Sequence, residues 1–178
     1  MLDEERVKEA KLNMRNYLAE KLIKKESFSQ IVYDTYMRNH RESLNLAEHV
    51  FSGNISNLWV IVVSYYSMFY IANAVLCKIG YKVGDKLAHK VTADALIELV
   101  RNKLKKSLLE DYENAKEEAL ELAGAKADEL IDSFDKERGK RSIFQYKTTE
   151  EIKHSKAKTS LERAKEFSLE MEQLLESV

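Results

Sequence analysis

Ile55-Ser-Asn-Leu-Trp-Val-Ile-Val-Val-Ser-Tyr-Tyr-Ser-Met-Phe-Tyr-Ile-Ala-Asn-Ala-Val-Leu-Cys77 runs twenty-three residues without a charge, in a chain that is 33% Asp, Glu, Lys and Arg. Such a stretch has to be buried, and its length would let a helix cross a bilayer. Polar placement assigns the covering to protein instead. Asn57, Ser64, Ser67 and Asn73 are spread along the run, and Tyr65, Tyr66 and Tyr70 stand near its middle, whereas membrane helices keep tyrosine near the headgroups. The run therefore reads as the central helix of a soluble bundle, its hydroxyls and amides set against amphipathic neighbours.

The flanking sequence supplies those neighbours. Apolar residues recur at three and four spacing in nearly every segment, with no sustained two-residue alternation, so the expected class is all-α: an up-and-down bundle of four to five main helices with an additional N-terminal helix. The first helix is expected over about residues 3 to 25, with Val7, Ala10, Met14, Tyr17, Leu18 and Leu22 on one side. Ser27-Phe-Ser-Gln30 resembles a capping box opening a second helix, which turns Val32, Tyr36, His40, Leu44, Ala47 and Phe51 inward; the two segments also fit one long kinked helix. Ser52-Gly-Asn54 closes that element, and Gly80 ends the central helix.

A helix from about Asp85 carries Ala88, Val91, Ala95, Leu99 and Leu104. Ser107-Leu-Leu-Glu110 is a second capping-box pattern, ahead of a long acidic helix bearing Tyr112, Ala115, Ala119, Leu122, Leu130 and Phe134. Thr148-Thr-Glu-Glu151 is a third, ahead of a last helix with Leu161, Ala164, Phe167, Met171, Leu174 and Val178 on one face. Proline is absent, which suits long unbroken helices. The expected organisation is an N-terminal helical extension over 1–26 and a single bundle domain over 27–178.

Composition narrows the chemistry. The formal net charge is -1, so no global field selects a nucleic acid or a membrane. Local charge is uneven: residues 110–135 hold ten acids and two bases, and residues 136–158 hold eight bases and three acids. A single cysteine, Cys77, excludes an internal disulfide, and its apolar setting predicts an inert core thiol. No signal-like segment opens the sequence, so a cytoplasmic protein without membrane attachment is expected. Glu151-Ile-Lys-His154 has the Glu-x-x-His spacing of carboxylate-bridged metal bundles, but no second copy occurs, and His40, His49 and His89 lie in no such motif. No metal and no cofactor are expected, and His154 reads as a solvated residue near a helix start.

The stretch with Arg138, Lys140, Arg141 and Lys147, interleaved with Phe144 and Tyr146, has two readings. Guanidinium groups hold phosphates in a fork and exposed rings stack on unpaired bases, which suits RNA or nucleotide contact. Charge runs are usually solvated faces, and by local composition the stretch fits better a helix-end cation cluster facing the acidic helix before it. Arg101, Lys103, Lys105 and Lys106 form a further cluster that reads as a solvated face.

Two patches resemble one known family. Ser64-Tyr-Tyr-Ser-Met-Phe-Tyr-Ile-Ala-Asn-Ala-Val-Leu76, with Ile79-Gly80 and His89-Lys90 after it, is similar to the second helix and following turn of HEPN domains, the nucleotide-binding helical bundles of higher eukaryotes and prokaryotes. Arg141-Ser-Ile-Phe-Gln-Tyr146, then Thr149-Glu-Glu and Ala164-Lys-Glu-Phe167, resembles the Arg-x-x-Ala-Asp-Tyr segment and last helix of the same family. The resemblance spans about residues 30–178 and implies a homodimer with a basic cleft between protomers.

In ribonuclease members an arginine, followed four to six residues later by histidine, promotes metal-independent attack by the RNA 2'-hydroxyl. Here Arg141 stands at the arginine position, as the candidate catalytic residue, but Tyr146 stands where histidine would. A phenol with a pKa of about 10 is a poor base at neutral pH. Gln145 also replaces the aspartate of the pattern.

The resemblance thus implies binding of nucleotide or RNA through Arg138, Lys140, Arg141, Tyr146 and Lys147 without efficient cleavage. Its alternatives are a metal-independent RNase toxin, with His154 or a histidine of the other protomer substituting, and a non-catalytic module for a nucleotidyltransferase-fold partner in a toxin–antitoxin pair. Tyr146 fits ligand contact and a structural anchor of the last turn equally.

Overall fold

A computed structural model describes residues 2–137 and 152–177, with side chains through residue 124 and again from residue 152. The chain is an all-α bundle. Its helices are α1 (Glu4–Ala19), α2 (Gln30–Ser52), α3 (Asn57–Lys78), α4 (Ala88–Leu99), α5 (Lys106–Glu137) and α6 (His154–Glu176). A 3-10 turn at Arg101–Lys103 and two three-residue strands, β1 (Ile23–Lys25) and β2 (Tyr81–Val83), complete the described elements.

α3 is the axis. Among the described residues it is the helix long and apolar enough to span a bilayer, yet its neighbours are protein: α2, α4, α5 and α6 all pack on it. From Val60 to Cys77 every residue is buried except Val63, Tyr66, Phe69 and Tyr70. Its polar groups are accommodated as expected for an interior helix. Asn73 Nδ2 donates to the Phe69 carbonyl at 2.9 Å and to Thr92 Oγ1 at 3.2 Å, and Ser67 Oγ lies 2.9 Å from His40 Nδ1. The Ser56 hydroxyl accepts from the Trp59 amide and so caps the helix start.

The outer helices bury the faces their spacing marked. α6 turns Leu161, Ala164, Phe167, Met171 and Leu174 inward, α5 does so with Tyr112, Ala115 and Ala119, and α2 buries Met37, His40, Ala47 and Val50. Most of the core is one continuous cluster. A smaller one, Ala47, Val50, Val60, Ile61, Ala157 and Leu161, closes the end of the bundle where α2 turns into α3 and α6 begins.

Three local expectations are corrected. The first helix stops at Ala19, not near residue 25: Lys21 adopts φ 60, the Leu22 amide turns back to the Tyr17 carbonyl, and β1 follows. Pairing decides that outcome, because Ile23, wholly buried, sits opposite Val83 in an antiparallel ribbon where Lys25 faces Tyr81. That ribbon also shifts the next cap. The Glu26 amide still bonds the Gly80 carbonyl, so Ser27 is not at a helix start, and α2 begins at Gln30 with Ser29 as its N-terminal flank and no side-chain cap. Finally, α5 starts at Lys106, one residue before the expected Ser107 cap, and Glu110 is diverted to accept the Leu2 amide at 2.7 Å. Thr148 to Glu151 lie outside the described residues.

α1 belongs to the same core. It packs on α4 through Ala10, Met14 and Tyr17, and its polar edge meets a carboxylate that the bundle encloses. Asp94, 0% exposed, accepts from Arg6 Nη2 at 2.5 Å, Asn13 Nδ2 at 3.0 Å and the Tyr17 hydroxyl at 2.8 Å. Arg6 continues to Glu113 on α5 at 2.7 Å. Burial works against the charge on Arg6, but the hydrogen bonds and charges of Asp94 and Glu113 outweigh it and hold its pKa above the ordinary value. Burial, together with the bond to Asp94, likewise pushes the Tyr17 phenol well up, so it stays a donor.

Candidate functional site

Every residue of the basic segment singled out by sequence, Arg138, Lys140, Arg141, Tyr146 and Lys147, lies outside the described residues. The described structure fixes where the chain re-enters after it. Ile152 is tied to the start of α3, its carbonyl accepting from Asn57 Nδ2 at 2.7 Å. One turn on, the exposed His154 ring stacks on Phe51 at 4.5 Å with planes 15° apart, and its Nδ1 lies 3.3 Å from Asn57 Oδ1. The side chain that the sequence marks as merely solvated is thus held by two neighbours, while the Glu151 of its Glu-x-x-His motif lies outside the described residues. Among the described residues no cluster of three His, Cys, Asp or Glu side chains has a metal-binding arrangement.

A second constellation stands where α4 begins against α3. His89, in the first turn of α4, is partly buried in a wall of rings from α3, with its centroid 4.5 Å from Phe69, 5.5 Å from Tyr65 and 5.7 Å from Tyr66. Its Nδ1 lies 2.7 Å from the Tyr65 hydroxyl. Burial, with the Lys116 charge on α5 as a further cause, lowers the His89 pKa, and burial pushes that of Tyr65 far up. At neutral pH both groups are therefore uncharged, and the Tyr65 hydroxyl and Nδ1 share one hydrogen bond whose direction follows the imidazole tautomer.

Behind Tyr65, the fully buried Tyr112 hydroxyl reaches toward the same oxygen without a well-formed hydrogen bond, and Phe167 of α6 closes the stack at 5.3 Å from Tyr112. The chemistry available is orientation rather than proton transfer, since Tyr65 holds its proton too tightly to act as an acid. The bond to Tyr65 fixes the His89 ring at the edge of an aromatic surface.

That surface extends along α3. Trp59, Val63, Tyr66 and Tyr70 follow at i, i+4, i+7 and i+11 and so share one helix face, with Phe69 beside them. Trp59 is 47% exposed, and the other four are partly exposed. At 1.5 Å per residue the stripe is roughly 16 Å long. Sequence pointed to the individual residues as core. The signal it carried was the absence of any charge around the whole circumference of α3, more apolar surface than four neighbouring helices cover. Asp94 stands in the sequence as a lone carboxylate between Val91 and Ile97 in an otherwise uncharged run, with nothing nearby to mark its partners on α1.

No family model, no curated protein and no solved structure matches this chain.

Proposed function

We propose that this protein is a HEPN-like helical bundle that acts in the cytoplasm as a homodimer and binds RNA or a nucleotide at a basic cleft between protomers. The cleft is formed by Arg138, Lys140, Arg141, Tyr146 and Lys147. Efficient RNA cleavage is not part of this function, because Tyr146 occupies the position of the histidine that would serve as base.

One observation carries the reading. The two patches that resemble the family lie far apart in sequence but share one packed core: Tyr65 and Phe69 of the first meet His89 of the following segment, and Phe167 of the second reaches the same stack through Tyr112. A nucleotidyltransferase-fold protein is the proposed protein partner.

Fluorescence anisotropy with labelled oligoribonucleotides and nucleotides tests the reading. Wild-type protein binds with an affinity that falls as salt rises, and Arg141→Ala weakens it; equal binding by the two proteins removes Arg141 from the role. Sedimentation checks the dimer, and a monomeric mass at binding concentrations sinks the shared cleft.

The alternative of a metal-independent RNase toxin is favoured by one feature, the exposed His154 imidazole whose Nδ1 is held toward Asn57. RNA incubated with the protein in EDTA then yields fragments with 2',3'-cyclic phosphate ends, and His154→Gln abolishes them. Intact RNA after incubation with folded protein removes this alternative.

A further inference from the structure

The two-strand ribbon has dissimilar faces. Side chains alternate across a strand, so the sealed pair Ile23 and Val83 turns inward, and the next pair, Lys24 opposite Lys82, turns out to solvent. Like charges directly opposite one another destabilise strand pairing. A lysine on an edge strand wards off stray pairing, but a lysine opposite a glutamate does the same and adds an attraction. For the fold alone, two opposed lysines are a cost.

Further cations stand around the pair. Lys25 is exposed on β1. Lys21 occupies the turn into β1, with its carbonyl beside Gly84 at the end of β2. At the other end of the ribbon the Glu26 amide bonds the Gly80 carbonyl at 3.0 Å, which brings in Lys78, exposed, with Nζ 5.2 Å from the centre of the Phe28 ring. Residues 21–26 and 78–84 thus hold five lysines and one acid, Glu26, whose carboxylate lies 3.5 Å from Lys82 Nζ. Glu20 and Asp85 lie one residue beyond, and the Asp85 charge acts on Tyr36 of α2.

We propose that the outer face of this ribbon binds backbone phosphates of RNA. The inference rests on the RNA reading above and adds to it a second point of contact. Ile152, where the chain re-enters the described structure, is tied to the start of α3, and the ribbon follows the end of that helix. The 22 residues of α3 separate the two places by roughly 33 Å at 1.5 Å per residue. An RNA strand reaches both, and a single nucleotide does not. Phosphates between Lys24 and Lys82 relieve their mutual repulsion, whereas ribbon on ribbon across a twofold would set lysine against lysine. Contacts of this kind add affinity without reading sequence.

Lys24→Gln/Lys82→Gln removes both charges at exposed positions, and circular dichroism shows an unchanged or higher Tm because a repulsion is lost. Anisotropy with an oligoribonucleotide of about 20 nucleotides, longer than the separation at about 3.4 Å per nucleotide, is measured from low to high salt. Loss of two phosphate contacts lowers the slope of log affinity against log salt by about 1.4, so the fall in affinity from about 50 to about 200 mM salt becomes about sevenfold smaller. Mononucleotide binding is unchanged in this variant and weakened in Arg141→Ala. Lys11→Gln, an exposed lysine on α1, controls for net charge.

An unchanged slope in the double variant, with loss in Arg141→Ala, overturns the ribbon and leaves the basic cleft standing. An equal change in Lys11→Gln also overturns it. If the double variant keeps RNA affinity but loses sedimenting mass, the ribbon meets the acidic face of another copy; if it loses binding to phosphatidylserine vesicles instead, the surface faces lipid. Either result makes the inference wrong. Absence of any RNA binding by wild-type protein removes both readings.

Discussion

Replacing Asp94 with alanine tests the account of how α1 is held. The carboxylate is wholly enclosed and receives three hydrogen bonds, from Arg6, Asn13 and Tyr17. Removing one partner of a buried ion pair costs about 3–5 kcal/mol, chiefly because the surviving charge is left without compensation. The low end applies to Arg6, which keeps Glu113 at 2.7 Å. Tyr17 has no such reserve: its enclosed hydroxyl loses its acceptor, worth about 1–3 kcal/mol. A total loss of about 4 kcal/mol is expected. For a chain of 178 residues, each kcal/mol lowers Tm by about 2–4 °C, so Asp94→Ala melts about 8–16 °C below wild type.

Urea and thermal denaturation followed by circular dichroism at pH 7 measure it. Asp94→Asn, which retains an acceptor for Tyr17 and Asn13, falls between the two. In a double-mutant cycle with Arg6→Met, the coupling is at least about 1.5 kcal/mol. A loss under about 1 kcal/mol, or additive single substitutions, would refute the role assigned to this cluster.

Three further outcomes follow from particular contacts. His40 is enclosed with Nδ1 3.0 Å from the Ser67 carbonyl, and burial lowers its pKa; an unfolded chain takes up that proton near pH 6.5 while the folded one does so only at lower pH. Stability from this group is thus complete above about pH 6.5 and declines on acidification, so the urea midpoint drops between pH 7.5 and 5.5, and His40→Gln flattens the slope. Gly80 has φ +83, so Gly80→Ala loses about 1–2 kcal/mol to left-handed strain, whereas Gly124→Ala, within α5 and with nothing within 4 Å of an added Cβ, gains about 0.5–1 kcal/mol; equal effects in urea titrations would contradict the backbone argument. Phe167→Ala empties a fully buried position beside Tyr112 and costs about 3–5 kcal/mol, measured by the same titration.

Helical spacing was enough to find the bundle, because amphipathic faces are set by local periodicity and each outer helix needed only one of them. The inward residues of α6 followed directly from the sequence, and so did the interior position of α3. Boundaries were harder, since they depend on partners remote in the chain. The Ser27 capping pattern yields to a strand pairing with residues near 81, and Glu110 serves the amide of Leu2 in place of its own helix end.

For the site, sequence identified His89 and the α3 aromatics as members of one patch but not their meeting. A hydrogen bond between residues 24 positions apart, across a glycine turn and a strand, leaves no periodic trace. Asp94 was missed for the same reason: its partners come from α1, and a solitary acid in an apolar helix looks like an exposed one until the surrounding helices are placed.

The two-strand ribbon fastens the far end of an N-terminal arm. Residues 3–26 are fastened to the body at the Arg6–Asp94 contact and again at the three paired positions of β1 and β2, with Ile23 sealed between them. Between those points α1 buries Ala10, Met14 and Tyr17 in the core it shares with α3. The expected outcome is opening of this arm as one unit, with amide protons from Val7 to Lys25 exchanging at a common rate ahead of those in α3; separate rates for α1 and β1 in hydrogen exchange would contradict it.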